Sequence, residues 1–436
     1  MRSGARNLRM KFTSNSLTHF GGINLLHAFL QQLKLRTFIS ERIRFSQRNN
    51  HYTLSEVLLA LLYPMILGLE KIEVSALLKT NGVFQTITGL PSFPDPSTLR
   101  RFLVRATESN VLPQLRTLHD HLRSHFLVLP HVPSSFWIDC DSTACTLYGH
   151  QEGAVKGYNP NKPGKKSYHP LIITEAHLGD CLAGVLRRGN AHTAEGVLDL
   201  LQQAQAVLPH GNRWRLRADC GFYEGNFVDA IRNDMEFAIV AKMTNPIKEI
   251  VAKKRYKHVG KKSPFAVASF QYQPYRWKRK ERFVVLRREL PAEEEDQMTL
   301  FTTDNYAYHV IVTNMTLTSY QVFQFYQDRS AMERIVRILK EDYPFGSAPT
   351  KMFAANALYA ELSILAYNII VWFKRLCLPE DWQSCTLPTI RHRLLMIPGE
   401  FVNVHNIPTL RLPHNTVYKD VMTDALQRIK KLDPLI

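Results

Sequence analysis

Cysteines are few in this sequence, and they follow neither a metal-binding nor a disulfide pattern. The six of them, at positions 140, 145, 181, 220, 377 and 385, include no CxxC pair and form no dense framework. Their spacing argues against a zinc knuckle and against a small extracellular domain held by disulfides. Free thiols in a reducing compartment are the interpretation that fits.

The chain also lacks a long apolar run that is free of polar residues. Its longest apolar stretch, residues 352–374, is interrupted by Asn356, Glu361 and Asn368. Such residues are too costly for a lone transmembrane helix, so the stretch is predicted to be a buried amphipathic helix. The basic first residues lack the apolar core of a secretory signal. We therefore expect a cytoplasmic protein with no membrane partner.

Acidic residues are in the minority. Lysine and arginine total 55 against 38 acids, which gives a formal net charge of +17. A surplus of this size indicates a polyanionic partner, although a generally basic soluble protein is the plain alternative. A hydrophobic content of 45% is typical of a folded protein, and 436 residues predict two or three domains.

Residues 1–130 are predicted to be helical. Apolar residues recur there at intervals of three and four in the ranges Leu25–Leu35, Ser55–Leu69, Leu99–Ala106 and Leu112–Leu127. Asp95-Pro96-Ser97 resembles a capped helix start. Arg100, Arg101 and Arg105 follow it, and they could contact a DNA backbone or form an ordinary solvated face.

Residues 131–242 alternate between strand and helix patterns. Strands are predicted at Phe136–Asp141, Tyr168–Ala176, Cys181–Leu186, Trp214–Ala218 and Glu236–Lys242, with helices at Asn190–Leu208 and Phe222–Asn233. Three hairpin-connected strands followed by α, β, α, β is the order of a ribonuclease-H-like core with a mixed five-stranded sheet. Periodicity alone predicts only an α/β fold with a mixed sheet.

Residues 243–315 form a basic segment with a predicted β-rich structure. From Lys253 to Arg282 there are eleven lysines or arginines and one acid, Glu281, interleaved with aromatic residues. Cations mixed with aromatics can bind a nucleic-acid backbone and stack on bases. A solvated edge strand is the alternative.

A helix with an unusual polar face is predicted from Thr318 to Lys340. It starts at a capping box, Thr318 with Gln321. Tyr326, Arg329, Glu333 and Lys340 are offset by 3, 7 and 14 residues, so they lie within roughly 60° on a continuous helix. A carboxylate can hold a divalent metal, and neighbouring cations can hold phosphates. The face therefore indicates phosphodiester chemistry.

Two aspartates complete a candidate metal site. Two-metal phosphoryl transfer needs several convergent oxygen ligands, so Glu333 requires partners. Asp141 lies in the first predicted strand and Asp219 follows the fourth, and neighbouring strands would bring both to one sheet end. Asp139 lies on the same strand face as Asp141, so either could be the ligand and the other a structural acid.

The wider pattern resembles a known family. The spacing Tyr326-(2)-Arg329-(3)-Glu333-(6)-Lys340 resembles the Y-R-E-K signature of DDE transposases from bacterial insertion sequences. Gly149–Gly153, Tyr168–Leu171, Arg188–Asn190 and Arg217–Asp219 are similar to segments of the insertion-sequence-1380 group within the insertion-sequence-four superfamily. The resemblance covers about residues 130–375.

The resemblance implies Mg²⁺-dependent cut-and-paste transposition, with Mn²⁺ as a substitute metal. It assigns Asp141, Asp219 and Glu333 to catalysis and metal binding, and favours Asp141 over Asp139 because hydroxyl residues follow it. Tyr326, Arg329 and Lys340 would bind DNA. The implied partners are double-stranded DNA, as terminal inverted repeats and target, and a second copy of the chain in a bacterial, nucleoid-associated complex.

The same resemblance implies a domain order. Residues 1–130 would bind DNA ends, 131–242 and 316–376 would form the catalytic core around the insertion 243–315, and 377–436 would be a helical tail. The loop Gly157–Lys166 is richer in lysine and proline than the family pattern. A ribonuclease-H-like nuclease without strand transfer and an inert, transposase-derived DNA-binding protein are the competing readings.

Overall fold

The computed structural model describes residues 10–46, 51–69, 71–160, 162–261, 263–289, 302–303 and 306–435. The chain forms two compact units. The first contains residues 1–114 and 372–436, and the second contains residues 115–371. The two positions at which the chain divides lie within long helices, α7 (Val111–Leu127) and α13 (Phe353–Cys377).

The N-terminal part of the first unit is helical. Its elements are β1 (Leu17–Thr18), α1 (Ile23–Gln32), α2 (Leu35–Arg42), α3 (Leu54–Ile66), α4 (Ala76–Lys79), α5 (Gly82–Thr88) and α6 (Pro96–Glu108). A capping box of Thr53 and Glu56 starts α3, which is buried along its whole length. The predicted helix Leu25–Leu35 is divided, because Lys34 adopts a left-handed conformation with φ of 54° between α1 and α2.

The C-terminal part of this unit combines helices with a small sheet. It contains α14 (Leu387–Ile390), β15 (Gly399–Val404), β16 (Ile407–Arg411) and α15 (Lys419–Ile429). Strand β15 pairs with both β16 and β1. The segment 377–436 therefore contains a β-hairpin as well as the helices expected of a helical tail.

A large mixed sheet organises the second unit. Its strands are β2 (Ser135–Ser142), β6 (Leu171–Glu175), β7 (Cys181–Val185), β8 (Arg213–Ala218), β9 (Glu236–Val240), β10 (Lys257–His258), β11 (Phe265–Tyr272), β12 (Glu281–Glu289), β13 (Thr302–Thr303) and β14 (Tyr306–Thr313). The order is β10-β11-β12-β14-β9-β8-β2-β6-β7, with β13 on β14. The predicted α/β class with a mixed sheet is confirmed.

Two of the strand pairs are parallel, and both lie in the middle of the sheet. Strand β2 is parallel to β8, and β8 is parallel to β9, whereas β6 and β7 add on as antiparallel strands. Strands β10 to β14 come from the segment 243–315. They extend this same sheet, because β14 pairs with β9.

Helices cover both faces of the sheet. They are α8 (Val197–Val207), α9 (Gly225–Ile231), α10 (Asn245–Lys253), α11 (Ser319–Gln327), α12 (Ser330–Glu341) and part of α13. Residues of α8 and α9 join one apolar core with Ile138 and Leu216, and residues of α11 join a second core with Ala238. Alternate strand residues therefore face different helices.

Helix α8 begins later than the sequence pattern predicts. Periodicity places its start at Asn190, but the helix starts at Val197. The Arg187 guanidinium is the reason, since its Nη1 donates hydrogen bonds to the carbonyls of His192, Thr193 and Glu195. Backbone carbonyls that accept hydrogen bonds from the Arg187 guanidinium cannot all accept hydrogen bonds from helical N–H groups as well.

Helix α13 is long and apolar enough to cross a membrane, but 89% of its most apolar window is buried inside the protein. Its buried polar residues have partners in the second unit. Glu361 lies 2.7 Å from Nδ1 of His119 on α7, and 3.5 Å from Nη2 of Arg123. Asn368 bonds the other nitrogen of His119 at 2.9 Å. These contacts explain how a core helix accommodates the polar residues.

Replacing Glu361 by Gln should destabilise the protein by about 3 kcal/mol, because it removes a buried carboxylate that lies 2.7 Å from His119 and 3.5 Å from both Arg116 and Arg123. Differential scanning calorimetry measures the change. The matched control is Glu249→Gln, which removes an exposed carboxylate of α10 in the same unit and should leave the unfolding midpoint unchanged. Equal midpoints for the two variants would contradict this reading of the network.

Candidate active site

Two aspartates meet where neighbouring parallel strands end. In the register of β2 with β8, Cys140 lies opposite Ala218, and Asp141 and Asp219 are the next residues on each strand. Asp219 accepts a hydrogen bond from the backbone N–H of Gly221 at 2.9 Å and caps a short 3₁₀ turn. The side chain of Asp141 is 16% exposed. The sheet thus presents two carboxylates at a single edge.

The two carboxylates are crowded. Burial, and after it the charge of Asp219, raises the pKa of Asp141 to about 6, although the Arg329 guanidinium opposes the shift. A carboxylate that resists ionisation beside another is typical of sites that receive a cation or a proton in function.

Asp139 has a different role. Both of its carboxylate oxygens accept hydrogen bonds from Arg217, from Nε at 2.7 Å and from Nη2 at 2.8 Å. Neither side chain of this pair has any exposed surface. The sequence alone could not separate Asp139 from Asp141. In the structure Asp139 is fully engaged, whereas Asp141 reaches the edge of the sheet.

Arg217 also interrupts the helix that was predicted from Thr318 to Lys340. Its Nη1 donates a 2.8 Å hydrogen bond to the carbonyl of Phe325, which in an unbroken helix would accept from the N–H of Arg329. The N–H of Arg329 turns instead to the carbonyl of Tyr326 at 3.0 Å. The prediction of one helix from Thr318 to Lys340 is therefore wrong, since α11 ends at Gln327 and α12 begins at Ser330. The capping box at Thr318 is confirmed.

The break between α11 and α12 directs the side chain of Arg329 toward Asp141. This residue is the N-cap of α12 and is buried. Its Nη2 lies 3.1 Å from the carbonyl of Cys140, to which it donates, and 3.2 Å from a carboxylate oxygen of Asp141. A buried guanidinium therefore partly neutralises the carboxylates.

Tyr326 and Lys340 border the same edge. Tyr326 is half-buried against His309, with ring centroids 5.4 Å apart, and burial raises its pKa to about 12. The ammonium of Lys340 donates to the hydroxyl of Thr143 and to the carbonyl of Ala144, both at 3.1 Å. Lys340 thereby ties α12 to the chain just beyond Asp141.

Glu333 stands apart from this cluster. It lies in the first turn of α12 and is exposed, while its neighbour Met332 faces inward, where its sulfur accepts a hydrogen bond from Thr174. Across the described ranges, no three His, Cys, Asp or Glu residues lie close enough together to hold a metal ion. The structure brings together Asp141, Asp219, Arg329 and Tyr326, whereas Glu333 is exposed on α12.

Arg217 and its partnership with Asp139 were missed by the sequence reasoning. A signal was available, because Arg217 lies between the apolar residues Leu216 and Ala218 in a predicted strand, and a buried arginine needs an acid as partner. Only the pairing of β2 with β8, which sets Asp139 opposite Arg217, identifies that acid.

Paired carboxylates beside a guanidinium, an ammonium and a phenol are typical of enzymes that act on phosphodiesters. The family comparison specifies the class. The family model described as "Transposase DDE domain group 1" matches residues 2–434, so the chain belongs to this family of DDE transposases. It is accordingly a DNA-cleaving, strand-transferring enzyme.

No curated protein matches the sequence. Among solved structures, the chain is similar to a piggyBac transposase, seen by cryo-electron microscopy in a synaptic complex with hairpin DNA. The TM-score is 0.46 at 12% identity, over 87% of this chain and 80% of that chain.

Asp139→Asn and Asp141→Asn should have opposite effects on stability. Removing the charge of Asp139 leaves Arg217 buried without a counter-ion, so we expect a loss of about 3–5 kcal/mol. Asp141→Asn relieves the crowding with Asp219 and should not destabilise the protein at pH 7. Urea denaturation of the two variants measures both effects. Equal destabilisation would contradict the distinct roles of the two residues.

The raised pKa of Asp141 makes a pH-dependent contribution to stability. Its carboxyl keeps a proton to about pH 6 in the folded chain but only to 3.8 when unfolded. Ionisation therefore costs stability as pH rises through that window, by up to about 3 kcal/mol. Asp141→Asn should gain stability relative to wild type between pH 4 and pH 7 in urea denaturation. A difference that stays constant across this range would contradict the shift.

Proposed function

We propose that this protein moves an insertion sequence by Mg²⁺-dependent cut-and-paste transposition. The observation that carries the proposal is the pair Asp141 and Asp219 at the ends of adjacent parallel strands, faced by the N-terminus of α12. The strand order β7-β6-β2-β8-β9 supports a ribonuclease-H-like core, because it places the first and fourth core strands side by side.

The donor set fits a magnesium ion. Mg²⁺ is usually bound by one or two carboxylates and takes its other oxygens from waters and substrate phosphates, so Asp141 and Asp219 suffice to hold it. Asp141 and Asp219 supply the crowded negative charge, and Glu333 is the carboxylate of α12 nearest its N-terminus. When bound, Mg²⁺ would offset the charge of the reacting phosphate and favour the ionised form of the attacking oxygen.

The chain's own residues position the DNA in this proposal. Arg329 and Lys340 would hold phosphate oxygens, and the phenol of Tyr326 would donate to another. A water oxygen attacks phosphorus, the bond to the departing oxygen breaks, and the end of the element is left with a 3′-hydroxyl. That hydroxyl then attacks a phosphodiester of the target, so one P–O bond replaces another and no energy donor is needed.

The basic insertion supports a DNA partner beside the site. Its hairpin loop, residues 273–280, is anchored by Trp277, whose ring lies 4.9 Å from that of Tyr223, four residues after Asp219. The loop exposes Arg276, Lys278, Arg279 and Lys280. Cations held close to a catalytic edge attract the phosphates that flank the scissile bond.

The remaining parts of the proposal come from the resemblance in the sequence. They are membership of the insertion-sequence-1380 group, binding of terminal inverted repeats by the N-terminal helices, a homodimer that joins two ends, and a cytoplasmic, nucleoid-associated location. Sequencing the DNA that flanks the gene tests the first two, because short inverted repeats should bracket the coding region.

A nicking assay tests the catalytic assignment. Asp141→Asn, Asp219→Asn and Glu333→Gln should each lower Mg²⁺-dependent nicking of terminal-repeat DNA by about 10³-fold or more, since each removes a carboxylate that would hold the metal ion. Glu341→Gln is the control, because it removes an exposed carboxylate of the same helix and should retain activity. Mg²⁺-dependent nicking that survives Asp219→Asn would overturn the assignment.

The same assay separates nicking from joining. A terminal-repeat duplex that already ends in a 3′-hydroxyl should be joined to plasmid DNA in the presence of Mg²⁺. Nicking without any joining would contradict the strand-transfer part of the proposal.

A further inference from the structure

A small lobe stands beside the candidate site and is used by none of the roles above. It comprises residues 145–168 and contains a three-stranded sheet of β3 (Cys145–Thr146), β5 (Lys166–Tyr168) and β4 (Val155–Lys156), in that order. We call it the lysine lobe. It begins four residues after Asp141, so the chain leads directly from the site into it.

The lysine lobe is firmly attached to the second unit. Its Tyr168 donates a hydrogen bond to the carbonyl of Glu152 at 2.8 Å and accepts one from Asn356 of α13 at 3.1 Å. Glu152 in turn accepts from the N–H of Phe353 at 3.0 Å. Inside the lobe, Asn159 bonds the hydroxyl of Thr146 at 2.9 Å. The lobe is therefore a fixed platform.

Its surface is basic to a degree that the fold does not require. The lobe contains four lysines and a single acid, Glu152. All four lysines are exposed: Lys156, Lys162, Lys165 and Lys166. An exposed surface with four lysines and one acid attracts a polyanion.

Two of these lysines face each other across the small sheet. Lys156 of β4 is the direct cross-strand partner of Lys166 of β5. Like charges in this position destabilise a strand pair. A bound anion between them would remove the repulsion, so the pairing indicates a ligand rather than a structural need.

Two exposed tyrosines accompany the lysines. Tyr148 is 73% exposed and Tyr158 is 72% exposed. The ammonium of Lys162 donates to the hydroxyl of Tyr148 at 2.5 Å and lies 5.2 Å from the centre of its ring. Aromatic rings among lysines can pack on sugars and bases while the ammonium groups hold phosphates.

We propose that the lysine lobe is a binding surface for the backbone of target DNA. This proposal rests on the strand-transfer function above, which requires the enzyme to hold a duplex of unrelated sequence. Contacts from lysine to phosphate oxygens position a duplex and carry no sequence information, whereas sequence is read by contacts to base edges inside a groove. The lobe has the chemistry of sequence-independent binding, which suits target DNA better than terminal repeats.

The test is a binding titration on the full-length protein with a random-sequence duplex, in EDTA so that no chemistry occurs. The variant replaces Lys156, Lys162, Lys165 and Lys166 by Gln. If each lysine meets one phosphate, the slope of log affinity against log salt should decrease in magnitude by about 3 to 4, and affinity at 0.1 M salt should fall at least tenfold.

A charge-matched control replaces Arg411, Lys419, Lys430 and Lys431 by Gln. These four are exposed and lie in the first unit. Both variants lower the net charge by the same amount, from +17 to +13. The control should keep the wild-type salt slope, and an equal loss in both variants would overturn the proposal by assigning the effect to overall charge.

Folding and catalysis give independent readouts. The lobe variant should unfold at the wild-type temperature or above, because the Lys156–Lys166 repulsion is gone. If it fails to fold, Lys162→Gln with Lys165→Gln, both in the loop between the strands, should still reduce the slope by about 2.

The lobe variant should also nick terminal-repeat DNA at the wild-type rate while joining it poorly to a target. Loss of terminal-repeat binding with random-sequence binding intact would overturn the proposal. Because the titration needs no metal or cleavage, its result stands whether or not the nicking assay supports the catalytic assignment.

Discussion

The buried ion pair of Asp139 and Arg217 is the interaction on which the candidate site depends. It joins two adjacent parallel strands with two hydrogen bonds, and it lies beneath the rings of Trp137 and Phe325, each about 5 Å from the guanidinium carbon. A pair this deeply buried is stabilising only when its geometry is nearly ideal. Here it holds both strands in the register that sets Asp141 beside Asp219.

The same guanidinium controls the helices above the sheet. Arg217 donates a hydrogen bond to the carbonyl of Phe325, which is then not bonded by the N–H of Arg329, and α11 ends at Gln327 in a tight turn. Arg329 then points down at Asp141 instead of out along a continuous helix face. One side chain thus bonds both strands of the register, the carbonyl at the helix break and, through that break, the position of the cation beside Asp141. The electrostatics of the site follow from a residue that has no exposed surface itself.

Much of the fold was predictable because the patterns involved are local. Alternation identified the core strands, the Thr318 capping box identified the start of α11, and the order of elements predicted a mixed sheet. Features that depend on partners far along the chain were harder to predict from the sequence. The late start of α8 depends on Arg187 binding carbonyls, and the joining of β14 to β9 depends on which sheet edge the insertion meets. Neither leaves a periodic trace in the sequence.

By itself, the sequence determined the chemical types of the site and their order: two aspartates at strand ends, then a helical segment with Tyr326, Arg329, Glu333 and Lys340. Spacing along the chain and local periodicity are enough for that. Only the tertiary structure paired Asp139 with Arg217, buried Arg329 beside Asp141 and left Glu333 exposed. Those outcomes depend on hydrogen bonds between residues as many as 189 positions apart, and no local pattern encodes which distant donor meets which carbonyl.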